Sequence, residues 1–201
     1  MTTLHGNADS GNCYKVRLAL AQLGRSFTRI EYDTDHGATR TPGFLSKNPN
    51  GRVPVLELDD DTHLAESGAI LWYLADGTDL LPNDRLERAQ VLQWMFFEQY
   101  SHEPYIAVVR HWLKHHLLDA ARTAQLAERQ AKGHAALAVM ETHLAIRPFF
   151  VASRYSIADI ALYAYTHVAH EGGFDLSPYP HIIAWLERVR MQPRHVAIDA
   201  P

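Results

Sequence analysis

Three short stretches of this chain combine residue types that can act on one small molecule: Ser10-Gly11-Asn12-Cys13, Val53-Pro54 and Glu66-Ser67. A proline inside a sheet removes one ladder hydrogen bond, so Val53-Pro54 belongs on an edge or beside a special turn. If that bond is cis, the backbone of Val53 faces outward and can pair with a bound peptide as an added strand. An ordinary edge proline is the other reading. Glu66-Ser67 precedes a helical run, and a helix N-terminus offers N–H groups and a positive dipole end to a carboxylate. Ser67 adds a hydroxyl donor and Glu66 can hold an ammonium, although the pair also suits simple capping. Together the two stretches suit a small peptide held by its backbone and by its terminal charges.

Ser10 and Asn12 stand where a first strand gives way to a first helix. A hydroxyl and an amide there can hydrogen-bond a thiolate and lower its pKa, or they can simply cap the helix. A free thiol with a pKa near 8.5 is only about 3% ionised at pH 7, and lowering that value by two units takes about 2.7 kcal/mol. One or two charge-assisted hydrogen bonds plus a helix dipole are of that order. Cys13 heads an apolar stripe and reads as a packing residue.

The elements that must position these groups fall into two regions. Thr2 to Gly6 reads as a strand, and Cys13, Val16, Leu20 and Leu23 recur at helical spacing until Gly24. Phe27 to Tyr32 alternates as a half-buried strand, and Thr41-Pro42 can open a short helix. Val53 to Leu58 and Thr62 to Leu64 form a hairpin about Asp59-Asp60-Asp61, before a helix marked by Ile70, Tyr73 and Leu74. The order is βαβ then ββα, an α+β domain over residues 1–78. A linker from Asp76 to Asp84 leads to residues 84–201, where only helical patterns appear. Leu86, Ala89, Trp94 and Phe97 predict one stripe, and Leu126, Gly133, Leu137, Met140 and Leu144 predict another, with Gly133 allowing close contact. Ser156-Ile157-Ala158-Asp159 has the form of a capping box, flanked by Tyr155 and Ile160 as a hydrophobic staple. Ile182, Leu186 and Val189 mark the last helix.

Bulk composition narrows the function. Nineteen basic and twenty-three acidic residues give a net charge of -4, which offers no field for nucleic acid. No apolar run reaches the roughly 20 residues of a membrane helix, and Met1-Thr2-Thr3-Leu4-His5-Gly6 lacks a signal core. With Cys13 the single cysteine, no internal disulfide forms, and the expectation is a cytoplasmic protein. Among thirteen histidines, His111/His115 and His167/His170 share helical faces, but neither pair has a third ligand at metal spacing, so no metal is expected.

Over essentially its whole length the chain resembles the glutathione S-transferase superfamily, of a bacterial theta- or nu-like Ser/Asn type. The resemblance rests on Ser10 to Arg17, the Asn48 to Pro54 turn, Glu66-Ser67 and the Ser156 to Asp159 box. It implies a thioredoxin-like first domain, an all-α C-terminal domain, a homodimer and a role in detoxification. Glutathione becomes the expected peptide and co-substrate, its γ-glutamyl end at Glu66 and Ser67 and its cysteinyl backbone at Val53-Pro54. Arg40 and Arg52 match positions near its other groups, and Ser10 and Asn12 match the residues that activate its thiol. Tyr14 lies too far into the helix to be an activating tyrosine. Tyr100, His102, Tyr105 and Arg110, on a polar helix that Pro104 should kink, are candidates for a second-substrate pocket or for a dimer-facing stretch. The implied reaction is attack by the thiol on an electrophile or a peroxide. The alternatives are disulfide or peroxide reduction, as in nu-like members, and a non-catalytic interaction module.

Overall fold

The computed structural model describes residues 2–200. Met1 and Pro201, the outer limits of the two expected domains, lie outside that range. The chain forms two compact units, one running to Thr78 and resuming at Gln192, the other spanning Asp79–Met191.

The first unit runs β1 (Thr3–Gly6), α1 (Gly11–Gln22), β2 (Thr28–Glu31), α2 (Pro42–Leu45), β3 (Val55–Glu57), β4 (His63–Ala65) and α3 (Ser67–Ala75). The sheet order is β2-β1-β3-β4, with β1 and β2 parallel and the other neighbours antiparallel. This is the thioredoxin-like arrangement of βαβ followed by ββα. β3 starts later than the expected Val53 because Pro54 has no N–H to give the ladder, and it ends one residue before the expected Leu58. β4 lies one residue later than expected. The core is the apolar face of α1 (Val16, Leu20), the central strands (Leu4, Val55, Leu56) and α3 (Ile70, Leu71, Leu74), all buried. Burying each such side chain contributes about 1.5–3 kcal/mol.

The stretch from Gln192 returns to α1. Buried Tyr14 donates to the carbonyl of Val196 at 2.8 Å, and buried Arg17 donates to the carbonyls of Ile198 and Ala200. Those bonds occupy the Tyr14 hydroxyl and give the Arg17 guanidinium acceptors inside the unit.

The second unit is helical: α4 (Arg85–Phe97), α5 (Glu103–Lys114), α6 (Ala120–Leu144), α7 (Ile157–Thr166) and α8 (Pro180–Arg190). Asp84 caps α4, accepting from the N–H groups of Leu86 and Glu87. The stripe expected on α4 holds at Trp94, which is buried, and at half-buried Phe97, but not at its start. Leu86 and Ala89 are exposed, while Val91, Trp94, Met95 and Glu98 point inward. Val91 is five residues past Leu86, about 140° around the helix, so the two cannot share a face. Between α4 and α5 the chain takes one π-helical turn, Glu98–His102. Pro104 lacks the N–H an α-helix would need there, and the wider turn accommodates the mismatch.

Gly133 in α6 marks the close approach expected of it. A Cβ there would lie 2.5 Å and 2.7 Å from the buried ring of Phe174. Gly133→Ala should lower stability by about 1–2 kcal/mol, because overpacking exceeds the gain in helix propensity. A thermal melt checks this; an unchanged or raised midpoint would show that the ring yields.

Candidate functional site

The chain turns sharply before α1. Ser10 N donates to the carbonyl of Asn7, and Ser10 is the helix N-cap, its Oγ accepting from Cys13 N at 3.3 Å. Capping uses the hydroxyl oxygen as acceptor. Its O–H remains a donor, so capping and donation to a ligand are compatible roles for this residue. Cys13 points into the core, is 1% exposed and accepts from Asn7 N at 3.4 Å. Burial pushes its thiol up to about 11. A thiol reagent should therefore leave the native protein unlabelled at pH 8 and label one thiol per chain after denaturation. Fast labelling of the native protein would contradict the packing assignment.

Asn12, on the first turn of α1, meets the first residue of α3. Its Oδ1 accepts from Ser67 Oγ at 3.2 Å and from Lys15 Nζ at 2.8 Å. Two donors on the carbonyl oxygen fix the polarity of the amide and turn its NH2 end the other way. Ser67 is 6% exposed, and its hydroxyl is spent on Asn12 rather than on a backbone cap. Glu66 makes no side-chain cap either, and its side chain is exposed. The simple capping reading of Glu66-Ser67 therefore finds no support in the geometry. Glu66 sits at φ 67°, ψ 114°, a region that side-chain-bearing residues seldom occupy and that clusters at ligand sites. Lys15, 1% exposed, was not singled out from the sequence; its i, i+3 spacing from Asn12 on a helix was the available signal.

The Val53-Pro54 bond is cis. The turn before it is built by Asn48, whose Nδ2 donates to the carbonyl of Arg52 at 2.8 Å and whose Oδ1 accepts from Asn50 N at 3.0 Å. Gly51 adopts φ +63°, and a Cβ there would strike the guanidinium of Arg40 at 2.5 Å. Arg40 lies across the turn and donates to the carbonyl of Asn50 at 3.0 Å; Arg52 is exposed. Val55 pairs with Ala65 and His5 with Val55. Continued one step, the register sets Pro54 opposite Glu66 on one side and Gly6 on the other. The turn, the start of α1 and the start of α3 thus converge at one end of the sheet in the first unit.

The four second-unit candidates occupy different environments. Tyr100 is 81% exposed, and Tyr105 is half-buried with Lys132 over its ring at 5.6 Å. His102 is fully buried, its Nε2 2.9 Å from Thr166 Oγ1. Arg110 is 4% exposed and donates from Nε to Glu171 at 2.7 Å. The structure brings His102 and Arg110 into the packing of the helical unit, whereas Tyr100 and Tyr105 keep ring surface outside it.

The same fold occurs in known proteins. The model of the glutathione S-transferase N-terminal domain matches residues 2–76, and that of the C-terminal domain matches residues 123–188. The crystal structure of a glutathione S-transferase from Pseudomonas fluorescens superposes with a TM-score of 0.96 at 53% identity, over 98% of each chain. The disulfide-bond oxidoreductase YfcG of Escherichia coli is 30% identical, over 92% of this chain and 89% of its own length. Ure2p in complex with glutathione superposes with a TM-score of 0.86 at 26% identity, over 96% of this chain and 90% of that one.

Proposed function

The chain belongs to the glutathione S-transferase family, and from that premise we propose how its first unit binds glutathione and activates the thiol. It is a glutathione transferase. The observation that carries the site assignment is the 3.2 Å bond between Asn12 and Ser67, which ties the start of α1 to the start of α3. In the proposed complex the cysteinyl backbone pairs with Val53 at the cis-Pro54 turn, as an added strand. The γ-glutamyl carboxylate takes the N-terminus of α3 and the Ser67 O–H, which turns from Asn12 Oδ1 to the carboxylate on binding, and its ammonium takes Glu66. Arg40 and Arg52 flank the turn, where their charge suits the glycyl carboxylate.

The sulfur then lies over the start of α1, where Ser10 Oγ–H and the Asn12 amide NH2 serve as donors. Hydrogen bonds to the thiolate favour it over the thiol. Buried Lys15, on the far end of the same amide, polarises it and adds positive potential. The thiolate forms a C–S bond with the electrophile while the leaving group departs with its electron pair. Catalysis here is thiol activation and positioning. Tyr100 and Tyr105 carry the second-substrate assignment, with His102 and Arg110 as positioning groups behind them. A second copy of the chain is supported by the exposed apolar side chains Leu86 and Phe96 on α4. Among the described residues no helix is long and apolar enough to cross a membrane, in keeping with a proposed cytoplasmic role in detoxification.

Disulfide reduction is the second reading, favoured by the 30% identity to the oxidoreductase YfcG. Retention on immobilised glutathione, with turnover of a chlorinated nitroaromatic, a hydroperoxide and a mixed disulfide, separates the readings. The transferase reading expects turnover of the aromatic, and turnover of the disulfide alone would replace it with the second reading. Neither binding nor turnover would contradict both. Asn12→Ala should raise the pKa of bound glutathione by about one unit, equivalent to about 1.4 kcal/mol, as read from thiolate absorbance. An unchanged value would assign activation to Ser10 alone.

A further inference from the structure

His5, Glu57 and His63 are distant in sequence but meet on the sheet of the first unit, and no step of the glutathione chemistry uses them. The strand register produces the meeting. Glu57 is the direct cross-strand partner of His63, and Thr3 is the partner of Glu57, which makes His5 its diagonal neighbour. Both imidazoles aim Nε2 at the same oxygen, Glu57 Oε2, at 2.8 Å from His5 and 3.0 Å from His63. The three ligand atoms lie within 4.8 Å of one another, and ligand atoms around a tetrahedral zinc ion are about 3.4 Å apart. His5 Nδ1 lies 3.0 Å from Tyr32 Oη, the kind of outer contact that orients a ligating imidazole. His5 is buried, while Glu57 and His63 are about one quarter exposed, so an ion can reach them.

A cation already stands at this position. Lys47 Nζ lies 2.6 Å from Glu57 Oε2 and 3.0 Å from His63 Nε2. Its ammonium rides on a flexible four-carbon stem and is 26% exposed. We propose that His5, Glu57 and His63 form a site for a divalent zinc-like cation, with Lys47 as an intramolecular competitor that swings into solvent when the ion binds. Two imidazoles and one carboxylate are a donor set used for zinc, and water completes the shell. On binding, each imidazole presents its Nε2 lone pair: a ring protonated at Nε2 alone exchanges that proton through solvent for one on Nδ1, and a doubly protonated ring releases one proton to solvent.

Co2+ titration of the full chain, followed by its visible ligand-field bands and by displacement with Zn2+, tests the proposal. The wild type should take up one equivalent with tetrahedral bands, and Lys47→Met should bind about tenfold more tightly. His63→Asn and Glu57→Gln should each lose the bands while keeping a folded circular dichroism spectrum. His111→Ala/His115→Ala should bind as the wild type does. The proposal is overturned by binding that survives His63→Asn or Glu57→Gln, or is lost in His111→Ala/His115→Ala. Uptake only after Lys47 is removed, or no uptake at all, also overturns it.

Discussion

Replacing Asp159 by Ala should lower stability by at least about 3 kcal/mol and produce mostly insoluble or partly unfolded protein at 37 °C. Asp159 is fully buried, and its carboxylate collects four hydrogen bonds. Oδ2 accepts from Ser156 N at 3.0 Å and Ser156 Oγ at 3.1 Å, closing the capping box of α7. Oδ1 accepts from Trp185 Nε1 at 2.9 Å and Phe150 N at 3.2 Å, which ties α7 to α8 and to the segment before it. Each donor stranded without a partner in the core costs about 1–3 kcal/mol, and the truncation leaves a cavity as well. Water entering the cavity offsets part of that sum. The measurement is a denaturant melt of wild type and variant under the same conditions. A loss below about 1 kcal/mol would mean the carboxylate is dispensable to the helical unit.

Replacing Ser67 by Ala should weaken glutathione binding about 10- to 100-fold, the range of about 1.5–3 kcal/mol for a hydrogen bond to a charged group. The ligand-free melting midpoint should barely move, because the Ser67 hydroxyl bonds Asn12 and no backbone cap is lost. This split distinguishes a binding residue from a folding residue. Isothermal titration with glutathione gives one half of it and the ligand-free melt the other. A marked fall in the melting midpoint with unchanged affinity would return Ser67 to a capping role. The double variant Asn12→Ala/Ser67→Ala should lose less than the sum of the single losses, since the two residues share a bond.

Much of the first unit was legible because its signals are local. Alternation marks the strands, Pro42 and Pro54 mark a helix start and a special turn, and Asp59 to Asp61 mark the hairpin. The capping box at Ser156 was equally plain and is formed as expected. Features that depend on tertiary partners were not. Nothing in the spacing of Asn12 and Ser67 shows that they touch, and nothing in the sequence marks Lys15 as buried against Asn12. The start of the α4 stripe differs from expectation because Leu86 is apolar yet exposed, and burial rather than residue type defines a helix face. His102 and Arg110 looked available because they are polar, but each has a partner inside the helical unit, Thr166 and Glu171. The histidine pairs drew attention by helical spacing, whereas the cluster at Glu57 is assembled by strand register, which linear spacing does not reveal.

Glutathione should bind in the first unit with its sulfur held as a thiolate. The most direct measurement is a pH titration of the thiolate absorbance of glutathione bound to the wild-type protein. The apparent pKa should lie about one to two units below the value of about 8.5 for a free thiol, with the buried thiol of Cys13 silent in the same range. A bound thiol that titrates at the free value, or glutathione that does not bind at all, would contradict it.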